Sequence, residues 1–450
     1  ISEAIVAAVL IIMRGPPVLI LSVNRGIPPA ACYEEASVWR LTLKHLVFTA
    51  AMVTAACSPS PGPVVPELAQ SAGQPFLFMF AADADEKDDD FLVVYDLRPD
   101  SPTLGQPIAT TPVGMKASMP HHMEYVMPPE GEAIFMNAHH HEASMLVRLN
   151  GVEAPVIEKT FGPPGSLRFP HDYSRTPTGT RLVGFLRSDG KWADAAETAD
   201  PGQQGGIAEY SADGMLIRSR SSAVEGISKP VRPYAFALLP ELDRMVVTSA
   251  LMMEDLNADV IQIYRYSDFE LLHTVDVPPG ALGAGTLEGS ERAPFGPRVL
   301  PDGSVFFNAY GCGFYRLTDI ETDKPQLANV FTLETPPIPD DIRGACGIPV
   351  RVNNLWIMPV GGMNMVLVLD ITDPAAPKEV FRLKTPDHFA PHWLAKDERT
   401  NRLVLGAELG GEEGMYLLRI DTKTGALSFD PLVHDAKNGD GYLSLDREEW

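Results

Sequence analysis

Five of the eleven histidines in this 450-residue chain fall within residues 119–146, "MPHHMEYVMPPEGEAIFMNAHHHEASML". They are His121, His122, His139, His140 and His141. Neutral imidazole is a good ligand for Cu, Zn, Fe or Ni. A three- or four-histidine set that leaves a position open suits catalysis better than a purely structural role. A histidine at a strand entrance can also cap a turn through its ring nitrogens, so density alone decides nothing. Spacing is more informative. Pro120-His121, Pro170-His171 and Pro391-His392 share one pattern, with Met123, Tyr173 and Leu394 two residues after each histidine. The chain carries no G-x-S-x-G, P-loop or H-E-x-x-H signature, so serine-hydrolase, nucleotide-phosphate and zincin readings have no support.

The elements that must position these histidines are short. From residue 74 on, alternating apolar runs recur: "FLVVYDL" (91–97), "SMLVRL" (144–149), "RMVVTSAL" (244–251), "VIQIYRY" (260–266), "MVLVLDI" (365–371) and "RLVLGAEL" (402–409). Turn clusters such as "PPEGE", "PTGT", "LPDGS" and "DTKTG" bound them, and no amphipathic helix of three turns is evident. This is an all-β pattern. A longer period overlies it. Units at 120–161, 170–221, 232–277, 294–333, 347–384 and 391–431 each read as four strands, and a partial unit spans 74–113. A lone four-stranded sheet cannot bury both faces, whereas radial packing does so. The expectation is a seven-bladed β-propeller of four-stranded antiparallel blades, with the first or last blade incomplete. The partial unit lacks an entry strand, and residues 441–446 are the candidate to close the ring in a chain open at both ends.

In such a fold the innermost strand of each blade begins at one mouth of the central channel. That places His121, His171 and His392 at one height around one axis. Side chains alternate across a strand, so only one of His121 and His122 should face the channel, and the Pro-His pattern favours His121. The 139–141 loop joins the second and third strands of its unit and lies at the same mouth. It can add a fourth imidazole from His140, with His139 and His141 equally placed. The expected metal ligands are therefore His121 or His122, His171, His392 and His140. Glu142 and Glu408, in equivalent loops, are expected to orient the imidazoles. The catalytic residue stays unassigned.

Charge and composition narrow the partners. The net charge is −23, which repels phosphate backbones and argues against nucleic acid. A small-molecule substrate and a monomer are expected. Residues 38–57, "VWRLTLKHLVFTAAMVTAAC", show a basic start, an apolar run and small residues before Cys57. That is a secretory signal with Cys57 as a lipidation site. Residues 1–56 are then untranslated or signal sequence, 57–73 a Pro-rich tether, and 74–450 the propeller. The protein is expected to be exported, as a periplasmic or lipid-anchored protein that meets a membrane only through that N-terminal anchor. Cys312 and Cys346 could pair in an oxidising compartment or remain buried thiols. The acidic loop 81–90 reads as solvated. The tail loop around Asn438, Asp440 and Gly441 has Ala436 and Arg447 where a calcium loop needs its first and twelfth ligands, so calcium is not expected there.

"MPHHMEY" (119–125), "FPHDYS" (169–174), "LDITDPAAPKEVFRL" (369–383) and "APHWLAKDERTNRLVLG" (390–406) resemble the selenium-binding protein, or methanethiol oxidase, group of β-propellers, and more loosely the lactonase-like propellers. The resemblance spans roughly 74–450. It implies a copper-containing, histidine-lined centre that oxidises small thiols with oxygen. Residue by residue it touches only His121 or His122, His171 and His392. The Cys-x-x-Cys pair of many members is absent, since no cysteine lies between Cys57 and Cys312. Copper is the expected cofactor, with zinc or another transition metal as the alternative. The leading expectation is an oxidoreductase. A metal-dependent lactonase or other hydrolase, with Glu124, Asp172 or Glu408 as base, and a non-catalytic binding propeller are the competing ones.

Overall fold

The second and third strands of each unit are mostly apolar because both of their faces are covered. Phe91–Asp96, Leu355–Val360 and Met365–Asp370 are almost wholly buried, whereas Leu216–Ser221 and Lys378–Lys384 are largely exposed. Burial thus falls from the channel outward, as radial stacking requires. The computed structural model describes residues 8–14, 74–83, 85–125, 128–129, 132–149, 155–188, 204–225, 231–250, 260–278, 293–334, 346–397, 400–407 and 414–445.

Seven antiparallel sheets follow one another around the ring. Blade 1 is Ala8–Arg14, Gln74–Ala81, Phe91–Asp96 and Pro107–Pro112. Blade 2 is Pro120–Met123, Ala133–Ala138, Ala143–Leu149 and Pro155–Phe161. Blade 3 is Arg168–Arg175, Arg181–Arg187, Gly206–Tyr210 and Leu216–Ser221. Blade 4 is Pro233–Leu239, Arg244–Ser249, Val260–Arg265 and Leu271–Asp276. Blade 5 is Arg298–Val299, Val305–Asn308, Gly313–Thr318 and Gln326–Thr332. Blade 6 is Val350–Val352, Leu355–Val360, Met365–Asp370 and Lys378–Lys384. Blade 7 is Pro391–Lys396, Arg402–Ala407, Gly414–Ile420 and Leu427–Phe429. The seven units and the all-β class match the sequence expectation.

Alternation does the packing. In blade 1, Phe76, Phe78 and Phe80 meet Ile134, Met136 and Met145 of blade 2. The intervening Leu77, Met79 and Ala81 meet Val404, Met415 and Leu417 of blade 7. Each residue therefore buries its side chain between two sheets, and a fully buried Leu, Phe or Met contributes roughly 1.5–3 kcal/mol. Comparable apolar layers lie between every other pair of neighbouring blades.

Ring closure differs from the sequence expectation. The tail does pair, but Tyr442–Ser444 lies against Gly414–Ile420 and fills out the outer edge of blade 7. The inner position of blade 1 is taken by Ala8–Arg14. Blade 7 is latched to blade 1 by side chains: Arg402 Nη1 donates to the Leu97 carbonyl at 3.0 Å, and the Tyr95 hydroxyl donates to the Ser444 carbonyl. A chain processed before Cys57 lacks residues 8–14, so cleavage and a four-stranded first blade exclude one another. Cys57 lies outside the described residues.

Cys312 and Cys346 are joined, with sulfurs 2.12 Å and Cα atoms 5.1 Å apart. The bond ties the turn between the second and third strands of blade 5 to the entry of blade 6. In the acidic loop 81–90, Asp83 accepts from the backbone N–H groups of Lys87 and Asp88. Asp90 accepts from the Asp83 and Ser118 N–H groups. These two buried carboxylates cap their own loop.

Candidate metal centre

A repeated β-bulge sets the geometry of the channel mouth. In blade 2, Pro120 pairs with Ala138 and Met123 with Met136, so His121 and His122 together oppose Asn137 alone. In blade 3, Pro170 pairs with Phe185 and Tyr173 with Val183, so His171 and Asp172 oppose Gly184. Blade 4 repeats this with Tyr234 and Ala235 opposite Thr248. In blade 7, Pro391 pairs with Ala407 and Trp393 with Gly406, which leaves His392 as the extra residue. A bulge of this kind interrupts alternation and re-aims side chains. Proline fits here because it has no N–H to offer a ladder. At Gly184 an added Cβ would stand 2.8 Å from the Pro233 carbonyl oxygen of blade 4, so the bulge needs glycine for close approach.

The bulge corrects the one-face expectation. Both His121 and His122 enter the site, and with His171 they form a buried trio whose candidate ligand atoms lie within 4.8 Å of one another. The His121 and His171 Nε2 atoms are 3.0 Å apart, and the His122 and His171 ring centroids 3.8 Å. The two backbone N–H groups left over by the bulge are taken by one side chain: Asn137 Oδ1 accepts from His121 N at 3.2 Å and His122 N at 2.7 Å. Asn137 Nδ2 donates in turn to the Pro170 carbonyl at 2.6 Å, tying blade 2 to blade 3.

Two hydrogen bonds orient the rings. His171 Nδ1 donates to the Tyr234 carbonyl at 3.0 Å, which turns its Nε2 lone pair toward His121. His122 Nδ1 is 2.9 Å from the Tyr125 hydroxyl. His121 Nδ1 and His122 Nε2 are buried and make no hydrogen bond among the described residues. Unpaired buried nitrogens of this kind are expensive and call for an explanation. Burial, reinforced by the neighbouring imidazoles, holds all three rings well below the ordinary histidine pKa. They are therefore neutral near pH 7, the form that binds metal. Three neutral nitrogens with no carboxylate among them fit a transition metal and do not fit Ca or Mg.

His139, in the 3-10 turn His139–His141, is buried with its ring centroid 5.0 Å from that of His121. Burial lowers its pKa to about 4. His140 is exposed, and the exposed His141 meets the Lys116 carbonyl at 2.8 Å. The fourth imidazole beside the trio is thus His139 rather than His140, because only the first residue of the tight turn points inward. His392 lies outside the trio's ligand group, yet close enough to help lower the pKa of His121 and His122, and burial lowers its own to about 4. Its ring neighbours Trp393 at 5.9 Å, and Trp393 turns toward the site with its ring 4.7 Å from His122. Glu142 pairs with Arg168 at 3.3 Å rather than with an imidazole. Glu408 lies outside the described residues.

The carboxylates divide into two kinds. Glu124 is fully engaged: Arg181 Nε and Arg175 Nε each donate to it at 2.8 Å, and so does Phe135 N at 2.9 Å. It is a strut between blades 2 and 3 and no free base. Removing one partner of a buried pair typically costs about 3–5 kcal/mol. Arg181→Ala is therefore expected to lower unfolding free energy by about 3 kcal/mol, the low end, because Arg175 remains. A urea midpoint within 0.5 kcal/mol of wild type would contradict this. Asp172 is different. Burial raises its carboxyl to about 6, against the opposing pull of Arg298, and its Oδ1 lies 3.9 Å from His122 Nδ1. Tyr125, Trp393, Tyr234 and Phe295 close over the trio as an aromatic cluster drawn from several blades.

Asn137, Tyr125, Tyr234 and Trp393 were not singled out from the sequence. The signal is present: Pro-x-x-apolar recurs at 120, 170, 233 and 391, and its third copy, "PYAF", has no histidine.

No family model and no curated protein matches the chain. Solved structures do. A hypothetical selenium-binding protein from Sulfolobus tokodaii superposes with a TM-score of 0.59 at 14% identity, over 80% of this chain and 89% of that one. A periplasmic gluconolactonase from Pseudomonas aeruginosa gives 0.54 at 12% identity, over 82% and 98%. A putative 6-phosphogluconolactonase from Bacteroides fragilis gives 0.52 at 11%, over 81% and 95%. At these identities the likeness is one of fold.

Proposed function

We propose that this protein is a metal-dependent propeller enzyme, with His121, His122 and His171 holding one transition-metal ion, copper, in an oxidoreductase that acts on a small molecule. The observation that carries the reading is the pair of buried nitrogens, His121 Nδ1 and His122 Nε2, left without hydrogen bonds beside the 3.0 Å contact of His121 with His171. Three neutral imidazoles carry one proton each, and adding further protons to pair the remaining lone pairs would bury charge, whereas a cation draws on neutral lone pairs. Bound copper would supply one-electron redox chemistry. The chain's own part is to fix the ligand rings through Tyr234 and Tyr125, and to keep water out with the aromatic cluster. All-imidazole ligation without a carboxylate ligand favours a redox-active ion over Ca or Mg.

Asp172 supports a second reading, a zinc hydrolase. A buried carboxyl raised to about 6 is poised to take a proton near neutral pH. Export to an oxidising compartment, as a lipid-anchored protein through Cys57, remains part of the proposal, with a first blade of three strands in the processed chain, and the Cys312–Cys346 bond supports export. A small-molecule partner, a monomer and no nucleic acid complete it.

Protein purified from the extracytoplasmic fraction should carry about one copper per chain and consume oxygen with small thiols. Zinc, with lactone hydrolysis and no oxygen uptake, would favour the second reading. A metal-free protein that takes up no added metal would end both.

A further inference from the structure

We propose that the indole N–H of Trp393 donates a hydrogen bond to a small acceptor ligand bound at the His121–His122–His171 centre, an inference that rests on the metal reading above. Trp393 is 4% exposed, yet its Nε1 makes no hydrogen bond among the described residues. A buried indole donor normally finds a partner. Its ring lies 4.7 Å from His122 and 6.4 Å from His121, and stacks near Tyr125 at 6.2 Å. The buried atoms His121 Nδ1 and His122 Nε2 are also without hydrogen bonds among the described residues. Polar groups from blades 2 and 7 are therefore left unpaired on neighbouring rings. A cation satisfies the imidazole lone pairs, and an acceptor atom on that cation satisfies the indole. The fitting class is a small ligand with an oxygen, sulfur or nitrogen lone pair, whether water, an anion or the reacting atom of a substrate.

The indole is set in place before any ligand arrives. Ile348 of blade 6 bridges Trp393 in parallel, and Ile348 N donates to the His392 carbonyl at 2.8 Å. At Gly347 an added Cβ would come within 2.1 Å of that carbonyl oxygen, so the two entry strands touch backbone to backbone. The adjacent Cys346 is held by its bond to Cys312. Trp393 is thus anchored by blade 6 while its ring faces blade 2.

Azide serves as the acceptor probe. Wild type and Trp393→Phe, both loaded with Cu(II), should hold the same one metal per chain. The azide dissociation constant, read from the charge-transfer band, should rise about threefold to tenfold in the variant, the value of one hydrogen bond. Equal azide affinities at full metal load would overturn the proposal. So would loss of metal from the variant, since Trp393 would then support the ligand rings instead. A second measurement needs no active variant. In Zn(II)-loaded, 15N-tryptophan-labelled wild type, one indole N–H resonance should shift when azide is added, and an unmoved set of indole signals would count against the hydrogen bond. Failure of wild type itself to bind metal would show separately, as zero stoichiometry, and would remove the metal reading and this inference together.

Discussion

His171→Ala is expected to lose stoichiometric metal, while His140→Ala and His392→Ala keep it. His171 sits at the centre of the trio, with its Nε2 3.0 Å from His121 Nε2 and its ring 3.8 Å from that of His122. Its Nδ1 is committed to the Tyr234 carbonyl, so its one lone pair, on Nε2, points into the site toward His121 Nε2. Losing a partner of a ligand typically weakens metal binding 10–100-fold, and losing the ligand itself should exceed about 100-fold. His140 is exposed, and His392 is outside the ligand group. The measurement is metal content after dialysis against a chelator, with a competitive titration for affinity. A metal that binds only the native chain at 1,000 times its Kd adds about 4 kcal/mol of stability. Added Cu(II) or Zn(II) should therefore raise the Tm of wild type and of His392→Ala, but not of His171→Ala. Equal metal loss from His392→Ala and His171→Ala would sink this assignment and restore the ring of three Pro-His positions.

That contrast marks where the sequence stops being legible. The blades could be read because their cause is local: period-two alternation with turn clusters at regular spacing. The mouth of the channel could be read to within a residue, because Pro-His recurs at 120, 170 and 391. The register there could not. A bulge adds one residue to a strand, and a single-residue slip moves every later side chain to the other face. Strict alternation therefore excluded either His121 or His122, when Asn137 lets both bulged backbone N–H groups be satisfied at once. The same slip turns Trp393 toward His122 beside the inserted His392. His139 could not be told from His140 or His141, because their sorting depends on a 3-10 turn that ends at Glu142 with φ 51°. Ring closure was illegible for a different reason. Which strand fills an inner position is decided by chain path, and Ala8–Arg14 carries no mark of belonging to blade 1.

The metal-free protein should lose stability steeply below pH 6.5. Burial depresses the pKa of His121, His122, His139, His171 and His392, to about 4 for His139 and His392. Unfolded histidines titrate near 6.5. Above that value both states are neutral, and the stability is fully present. Below it the unfolded chain takes up protons that the folded chain refuses. Each such group then removes about 1.4 kcal/mol per pH unit until its folded pKa is reached. Asp172 runs the other way. Its carboxyl, raised from 3.8 to about 6, gains native stability as pH falls from about 6 toward 4. One carboxyl offsets one histidine, so four remain, with a limiting slope of about 5 kcal/mol per pH unit. Against a typical total of about 5–15 kcal/mol, that is enough to unfold the metal-free protein between about pH 5 and 4. Urea midpoints at pH 8, 7, 6 and 5 would show it, flat above 7 and falling below 6.5. His121→Gln with His139→Gln should halve or better the slope while leaving the pH 8 side flat. Bound metal should shift the fall to lower pH, because it competes with protons for the same lone pairs. A midpoint that stays level from pH 8 to 5 in the metal-free protein would mean that the five rings are hydrated or already protonated in the fold, and the buried trio would lose its basis.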